Sequence, residues 1–365
     1  MANINDLPPE CILHILELTS QTQTTQFDDE CDGGDTFSPD CRHYKALATL
    51  SSASRVCRQW RRPAQAVMWR HLCHTKGLQY LLRSPALGRY RTEEALFWSD
   101  TSRDREWERQ IGSEELDAFL AVTHGIRKLR VLIYFAPNTI DELWLASPNL
   151  KNLDDLFLDV PFNTAAEGVT SVEFKLSALT LASDSGTRSL RFTPSVIEAL
   201  FKSSAETLKS LTLEHQKPTS SIQQFFPLLS NTLETLYILG EYKGLETSLP
   251  FFTKLTDVTL ELYYYKWEYA DAILLALPET VTSLKVSANY THAELLNGRI
   301  GKRPEWMRIT EIIMTTTKGW FEREVPGGLD SLYAWAATGV VVRFKWSDNG
   351  VKNSLPFNQV NGKTT

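Results

Sequence analysis

The apolar positions after residue 125 follow a spacing that neither a single amphipathic helix nor an isolated strand explains: apolar, two positions, apolar, one position, apolar. It occurs in IRKLRV at 126, LDDLFL at 153, LSALTL at 176, LKSLTL at 208, LETLYI at 233, LTDVTL at 255, VTSLKV at 281 and ITEIIM at 309. The central residues Leu129, Leu156, Leu179, Leu211, Leu236, Val258, Leu284 and Ile312 are 27, 23, 32, 25, 22, 26 and 28 positions apart. The last four positions of each unit alternate with the period of two that predicts a short strand with one apolar face. Between the units lie stretches with helical periodicity. SEELDAFLAVTHG has Ser113 to cap and Gly125 to stop it, TPSVIEALF has Thr193 to cap and Pro194 in its first turn, and SIQQFFPLL and YADAILLAL are of the same kind.

A unit of that length is too short to be a domain and long enough for one strand and one helix, which predicts stacked repeats with parallel strands. The unit resembles a leucine-rich repeat, with degenerate first and last members around EALFWS at 94 and GVVVRFKW at 339. A regular repeat of that kind places Asn two or three residues beyond the last leucine to satisfy backbone groups at the turn. Here LTLEHQ offers His215 and Gln216 instead. The residues between the core leucines point away from the core, so Arg130, Phe157, Thr180, Thr212, Tyr237, Thr259 and Lys285 form one outward column, flanked by Asp155, Asp159, Glu214, Asp257, Glu261 and Glu311.

The stretch 1–75 reads differently. Asp6 can cap a helix in which Cys11, Ile12, Ile15, Leu16 and Leu18 recur at helical spacing, with Pro8 and Pro9 tolerated at its start. TSQTQTTQFDDECDGGDTFSPD, 19–40, carries six acidic and no basic residues and too little apolar surface to offset ordering entropy, which predicts a disordered insertion. Leu47, Leu50, Ala53 and Val56 predict a second helix. Pro63 predicts the start of a third, PAQAVMWRHL, because an interior proline removes a backbone hydrogen bond. The organisation expected is a helical module over 1–75, a repeat region over 76–346 and a loosely held polar tail over 347–365.

Composition narrows the function. A net charge of -6 with pI near 5.7 lacks the basic footprint of a nucleic-acid binder. Five cysteines, Cys11, Cys31, Cys41, Cys57 and Cys73, are odd in number and irregularly spaced, which predicts free thiols in a reducing compartment. The start of the chain lacks the basic and apolar regions of a signal peptide, and no apolar run reaches a membrane span, so cytosol or nucleus is expected, where the sequon at Asn289 is idle. DDECDGG follows a calcium loop for six positions, but Pro39 stands where a bidentate Glu is required. Cys57, His71, Cys73 and His74 lack the paired spacing of a closed zinc site, GRIGKRP is no phosphate loop, and no hydrolase or kinase motif occurs. Neither catalysis, metal nor cofactor is expected. Arg55, Arg58, Arg61, Arg62 and Arg70 either solvate short helices or meet acidic groups, the acidic insertion among them.

INDLPPECILHILEL and LSSASRVCRQWRRPAQAVMW together resemble the two halves of an F-box, the short three-helix module that docks on the adaptor subunit of cullin-RING ubiquitin ligases. Its Leu-Pro-x-Glu opening is Leu7, Pro8, Pro9, Glu10; its aliphatic helix matches Ile12, Leu13, Ile15 and Leu16; its Val-Cys-x-x-Trp signature is Val56 to Trp60, and its closing Leu-Trp is Met68-Trp69. The acidic insertion departs from the family, but loop closure grows only logarithmically, about 0.6 kcal/mol per doubling. The resemblance implies an adaptor surface drawn from Leu7, Pro8, Glu10, Ile12, Leu13, Ile15, Leu16, Leu50 and Val56, over a module core of Cys57, Trp60 and Trp69.

The fold class expected is thus α/β: a three-helix F-box module followed by an irregular leucine-rich-repeat solenoid, with a parallel sheet on one face and helices on the other. An F-box followed by such repeats resembles the substrate receptors of SCF-type ligases, which implies an SCF adaptor, through it a cullin, and an unknown target protein as partners, with no nucleic acid or membrane. Phe157, Asp159, Tyr237, Asp257, Glu261, Tyr264, Trp267 and Lys285 are the candidate target-binding residues, suited to a basic segment with aromatic anchors. The rival readings are a repeat scaffold without a ligase role and a parallel β-helix enzyme acting on polysaccharides.

Overall fold

The structure is a computed structural model of the full chain. It describes residues 8–24, 50–55, 58–74, 82–85, 87–100, 113–134, 142–160, 169–182, 194–214, 222–239, 244–261, 267–288, 309–314 and 328–344. These fall into two compact units, one of Met1–Phe135 with Ser147–Leu153, the other of Ala136–Ala146 with Asp154–Thr365.

The first unit begins with helix α1, Pro9–Thr24, and helix α2, Arg58–Arg70, with a helical stretch at 50–55 between them in sequence. Apolar residues of all three meet in one small core: Ile12, Leu16, Leu50, Ala64 and Val67 are 0–3% exposed, with Leu13, Ala53, Trp60 and Met68 packed around them. Spacings of four in α1 and three in α2 put these residues on one face of each helix. Arg70 Nη1 donates to Glu17 Oε1 at 2.5 Å and ties the two helices at the rim of that core.

Three parallel strands complete the unit: β1, His71–His74; β2, Glu94–Asp100; β3, Lys128–Tyr134, with Ala95 opposite both Leu72 and Leu129. Helix α3, Ser113–Val122, covers them through Leu116, Phe119 and Leu120, and Phe119 stands edge-on to Phe97 at 4.8 Å. Gly125 ends this connector at φ +85°, a conformation in which a side chain is strained.

The second unit holds eight parallel strands in sequence order: β4, Asp155–Asp159; β5, Ala178–Leu181; β6, Ser210–Glu214; β7, Thr235–Leu239; β8, Asp257–Glu261; β9, Ser283–Ala288; β10, Ile309–Met314; β11, Val341–Phe344. Leu156, Leu179, Leu211, Leu236, Val258 and Leu284 are consecutive register partners, and each is at most 1% exposed. The first apolar residue of the repeats that follow, Leu176, Leu208, Leu233, Leu255 and Val281, is equally buried. Crossovers carry α4, Pro194–Ser204; a 3₁₀ helix, Gln223–Leu229; α5, Leu245–Ser248; α6, Trp267–Leu275; and α7, Gly328–Ala337. Phe201, Phe226 and Phe252 fill the space beneath, the last two 5.5 Å apart.

At the start of the strands a backbone ladder runs from repeat to repeat. The carbonyls of Asp154, Ser177, Lys209, Glu234 and Thr256 each accept two N–H groups from the next repeat, such as Lys209 and Ser210 on Ser177 at 2.9 and 3.0 Å. Hydroxyls supply more donors: Thr207 Oγ1 to the Leu176 carbonyl at 2.8 Å and Thr232 Oγ1 to that of Ala205 at 3.0 Å. The turns that lead into these strands are thereby satisfied, as buried backbone must be.

Several expectations change. Pro63 lies inside α2 and does not begin a helix, since one lost backbone bond is offset by burying the face that carries Ala64 and Val67. That helix stops at Arg70, and His71–His74 is a strand because Leu72 and its neighbours pair with β2. α1 runs to Thr24, into the first residues of the expected insertion, because once nucleated each further turn needs only its own backbone bonds. Residues 25–49 and the tail 345–365 lie outside the described residues. The SIQQFFPLL connector is 3₁₀ and holds Pro227. Finally, Ile312 sits opposite Val286 and not Leu284, because the register shifts between Ile309 and Glu311.

Candidate functional site

Two surfaces collect the residues singled out from sequence, one in each unit. On α1 the helical repeat separates two faces. Ile12 and Leu16 point into the module, together with Leu50, so these three of the expected adaptor-binding residues serve as core. The reason is that Ala64 and Val67 of α2 occupy the side of α1 that their spacing defines. Leu13 is half-buried against the same cluster.

The opposite face of α1 presents Cys11, Ile15 and Leu18, spaced by four and three, with Pro8, Glu10 and His14 also exposed. Ile15 is 40% and Leu18 48% exposed, an apolar stripe on a short module. Leu18 was not among the residues singled out for the adaptor. Its distance of three from Ile15 was legible, but nothing in the sequence says which of the two apolar rows on α1 faces water. Leu7, Val56 and Cys57 lie outside the described residues. Trp60 packs on the core with its indole nitrogen buried and without a partner among the described residues, and Trp69 is half-buried. Of the arginines, Arg70 is committed to Glu17, while Arg55, Arg58, Arg61 and Arg62 are exposed.

In the second unit the register sets Phe157, Thr180, Thr212, Tyr237, Thr259, Lys285 and Glu311 side by side across β4 to β10. These side chains stand on the face away from the leucine columns, as strand alternation requires. Asp257 and Lys285 are exposed; Phe157 and Tyr237 are half-buried; Asp159 and Glu261 are each 6% exposed. The Tyr237 hydroxyl donates to Glu261 Oε1 at 3.4 Å, and Lys285 Nζ lies 3.8 Å from Glu311 Oε2. Tyr264 lies outside the described residues, and of Trp267 the structure describes the backbone, as the first residue of α6. Arg130 belongs to β3 in the other unit, opposite Leu96.

One charged cluster escaped the sequence reading. His71, Glu94 and Lys128 are register neighbours on β1, β2 and β3: His71 Nδ1 is 3.0 Å from Glu94 Oε2, and Lys128 Nζ is 3.5 Å from Oε1. The hydrogen bond to His71 outweighs the opposing effect of burial and, with the charges of His71 and Lys128, brings the Glu94 carboxyl down to about 2 from 4.5. Neither the separation of His71 and Glu94 along the chain nor any motif signals it.

The α1 face is chiefly apolar, with Cys11 and His14 three positions apart and both exposed, and the charge on the outward face of the second unit is mostly acidic. Among the described residues no helix is long and apolar enough to cross a membrane.

Residues 4–75 match the F-box-like family. No curated protein matches the chain. Among solved structures the chain is similar to the leucine-rich repeat-containing protein LegL7 from Legionella pneumophila, at 13% identity and a TM-score of 0.43, over 78% of this chain and 85% of that one. Residues 4–75 thus carry an F-box-like domain, and parallel strands alternating with helices follow it in the chain.

Proposed function

We propose that this chain is the substrate-recognition subunit of an SCF-type cullin-RING ubiquitin ligase, binding the adaptor through its F-box-like domain and a target protein through its repeats. The observation that carries this reading is the F-box-like match over residues 4–75 ahead of a region of repeated parallel strands and helices. The adaptor surface proposed is Pro8, Glu10, Ile15 and Leu18 with Leu7 and Val56, while Ile12, Leu16 and Leu50 hold the helix that displays it. The chain acts without chemistry of its own. Tethering a target to the adaptor replaces a bimolecular encounter by an intramolecular one at raised effective concentration.

Against the enzyme rival, the described repeats contribute one strand each, with α or 3₁₀ helices between consecutive strands from β5 to β9 and from β10 to β11, whereas a β-helix needs several strands per turn. The scaffold rival shares every structural feature and differs in outcome alone. The test is reconstitution: the purified chain with adaptor, cullin and ubiquitin-transfer enzymes, and proteins captured on the repeats as substrates. Adaptor binding with ubiquitin transfer to a captured protein is expected. Adaptor binding without any transfer favours the scaffold, and absence of adaptor binding removes the proposal.

A further inference from the structure

The outward face of β4 to β10 carries six carboxylates, Asp155, Asp159, Glu214, Asp257, Glu261 and Glu311, against one described cation, Lys285. Acidic residues gathered on a sheet face are ordinarily solvated and need no ligand. Glu261 is different. It ends β8 with its side chain on the outward side, one position from the buried Leu260, yet it is itself only 6% exposed. Its Oε1 has one long contact, 3.4 Å from the Tyr237 hydroxyl, and its Oε2 is buried with no hydrogen-bond partner among the described residues. Among the described residues no Lys or Arg reaches Glu261, and Lys285 on the neighbouring strand leans to Glu311.

A buried carboxylate oxygen without a donor is a cost that native interiors rarely keep, and such costs concentrate where a ligand supplies the missing partner. The missing group must be a donor and, given the surrounding carboxylates, a cation. It must also reach a recessed oxygen from the face, which favours a long, thin side chain. A guanidinium satisfies both carboxylate oxygens at once, and the broad terminal torsion of Glu lets the carboxylate turn to meet it. Tyr237, half-buried beside it, adds an aromatic face of the kind on which guanidinium stems pack.

We propose that Glu261 and Tyr237 form a recessed subsite for an arginine side chain in a basic segment of the target protein, with Asp257 and Glu214 supplying the surrounding negative potential. The proposal rests on the reading that the repeats hold a target, and it adds the chemistry of what is held. Neighbouring carboxylates discourage acidic partners by like-charge juxtaposition, so the same face selects as well as binds.

The test uses the full-length chain and fluorescein-labelled nonapeptides of Gly and Ser that carry two central arginines, two citrullines or two glutamates, followed by fluorescence anisotropy at two salt concentrations. The arginine peptide is expected to bind, weakening as salt rises, and the citrulline peptide to bind about tenfold more weakly or worse, since citrulline keeps the shape and loses the charge. Glu261→Gln should abolish the preference for arginine while its thermal midpoint stays equal or rises, and Tyr237→Leu, which removes the aromatic face, should reduce the preference in a chain that folds normally. Equal binding of arginine and citrulline peptides, no binding of the arginine peptide at millimolar concentration, or a preference that survives Glu261→Gln overturns the subsite. Adaptor capture is measured on the same wild-type preparation: its absence would remove the ligase reading and leave the arginine subsite to be judged by the peptides.

Discussion

Replacing Ile15 and Leu18 together by alanine separates the two faces of α1. Fully burying an aliphatic side chain of this size is worth about 1.5–3 kcal/mol. Ile15 has 40% and Leu18 48% of its surface still facing water. Covering that remainder at an interface is therefore worth about 0.6–1.2 kcal/mol for Ile15 and about 0.7–1.4 kcal/mol for Leu18. Together this is about 1.3–2.6 kcal/mol, or a rise of about 10- to 70-fold in the adaptor Kd. The isolated chain should hardly notice, because neither side chain is in the buried cluster and alanine is at least as good a helix former. The contrasting variant is Ile12→Ala, at 0% exposure, which opens a cavity in the module and should cost about 2–5 kcal/mol of stability. Calorimetric titration of the adaptor, beside far-ultraviolet circular dichroism melts of each variant, reads both quantities. An adaptor Kd within twofold of wild type for the double variant would refute the assignment of this face. A melting loss matching that of Ile12→Ala would refute the division of α1 into an inner and an outer row.

Leu236→Ala, at 0% exposure in the middle of the leucine column, should lower stability by about 2–5 kcal/mol in urea unfolding, and an effect below about 1 kcal/mol would mean that the column is loosely packed. Gly125→Ala forces a side chain to φ +85°, with its Cβ 2.9 Å from Arg91 Nε; because that arginine is exposed and can move, the backbone term of about 1–2 kcal/mol should dominate the loss of thermal stability. Glu94 is held down to about 2 from 4.5, so its contribution is complete above pH 4.5 and is lost as pH falls towards 2. With 41% of its side chain exposed, solvent screening limits that contribution to about 0.2–1 kcal/mol. The stability gap between wild type and Glu94→Gln should accordingly be visible at pH 6 and close near pH 2 in denaturant titrations; a gap that widens on acidification would contradict the assignment.

The spacing of the leucines was enough to place nearly every strand of the repeat region, because a period of two within a unit and about two dozen between units leaves one way to bury all the apolar positions together. The same arithmetic placed Phe157, Tyr237 and Lys285 in one column, and the register bears this out. It failed at Ile312, where six letters in the right pattern could not reveal a register shift just before it. It also failed at Pro63, where a local rule about proline yielded to packing of Ala64 and Val67.

Sequence alone, then, determined most element types, His71–His74 excepted, together with the repeat and the likeness of the stretch 1–75 to an F-box, since these follow from local propensity and from distances along the chain. Only the tertiary structure decided that Ile12, Leu16 and Leu50 face inward while Ile15 and Leu18 remain exposed, and that Glu261 is buried with one oxygen unmatched. The two apolar rows of α1 are equally greasy on paper; which one is satisfied depends on what α2 and residue 50 bring against it. An unmatched oxygen is a property of every neighbour at once, so no spacing within one strand encodes it.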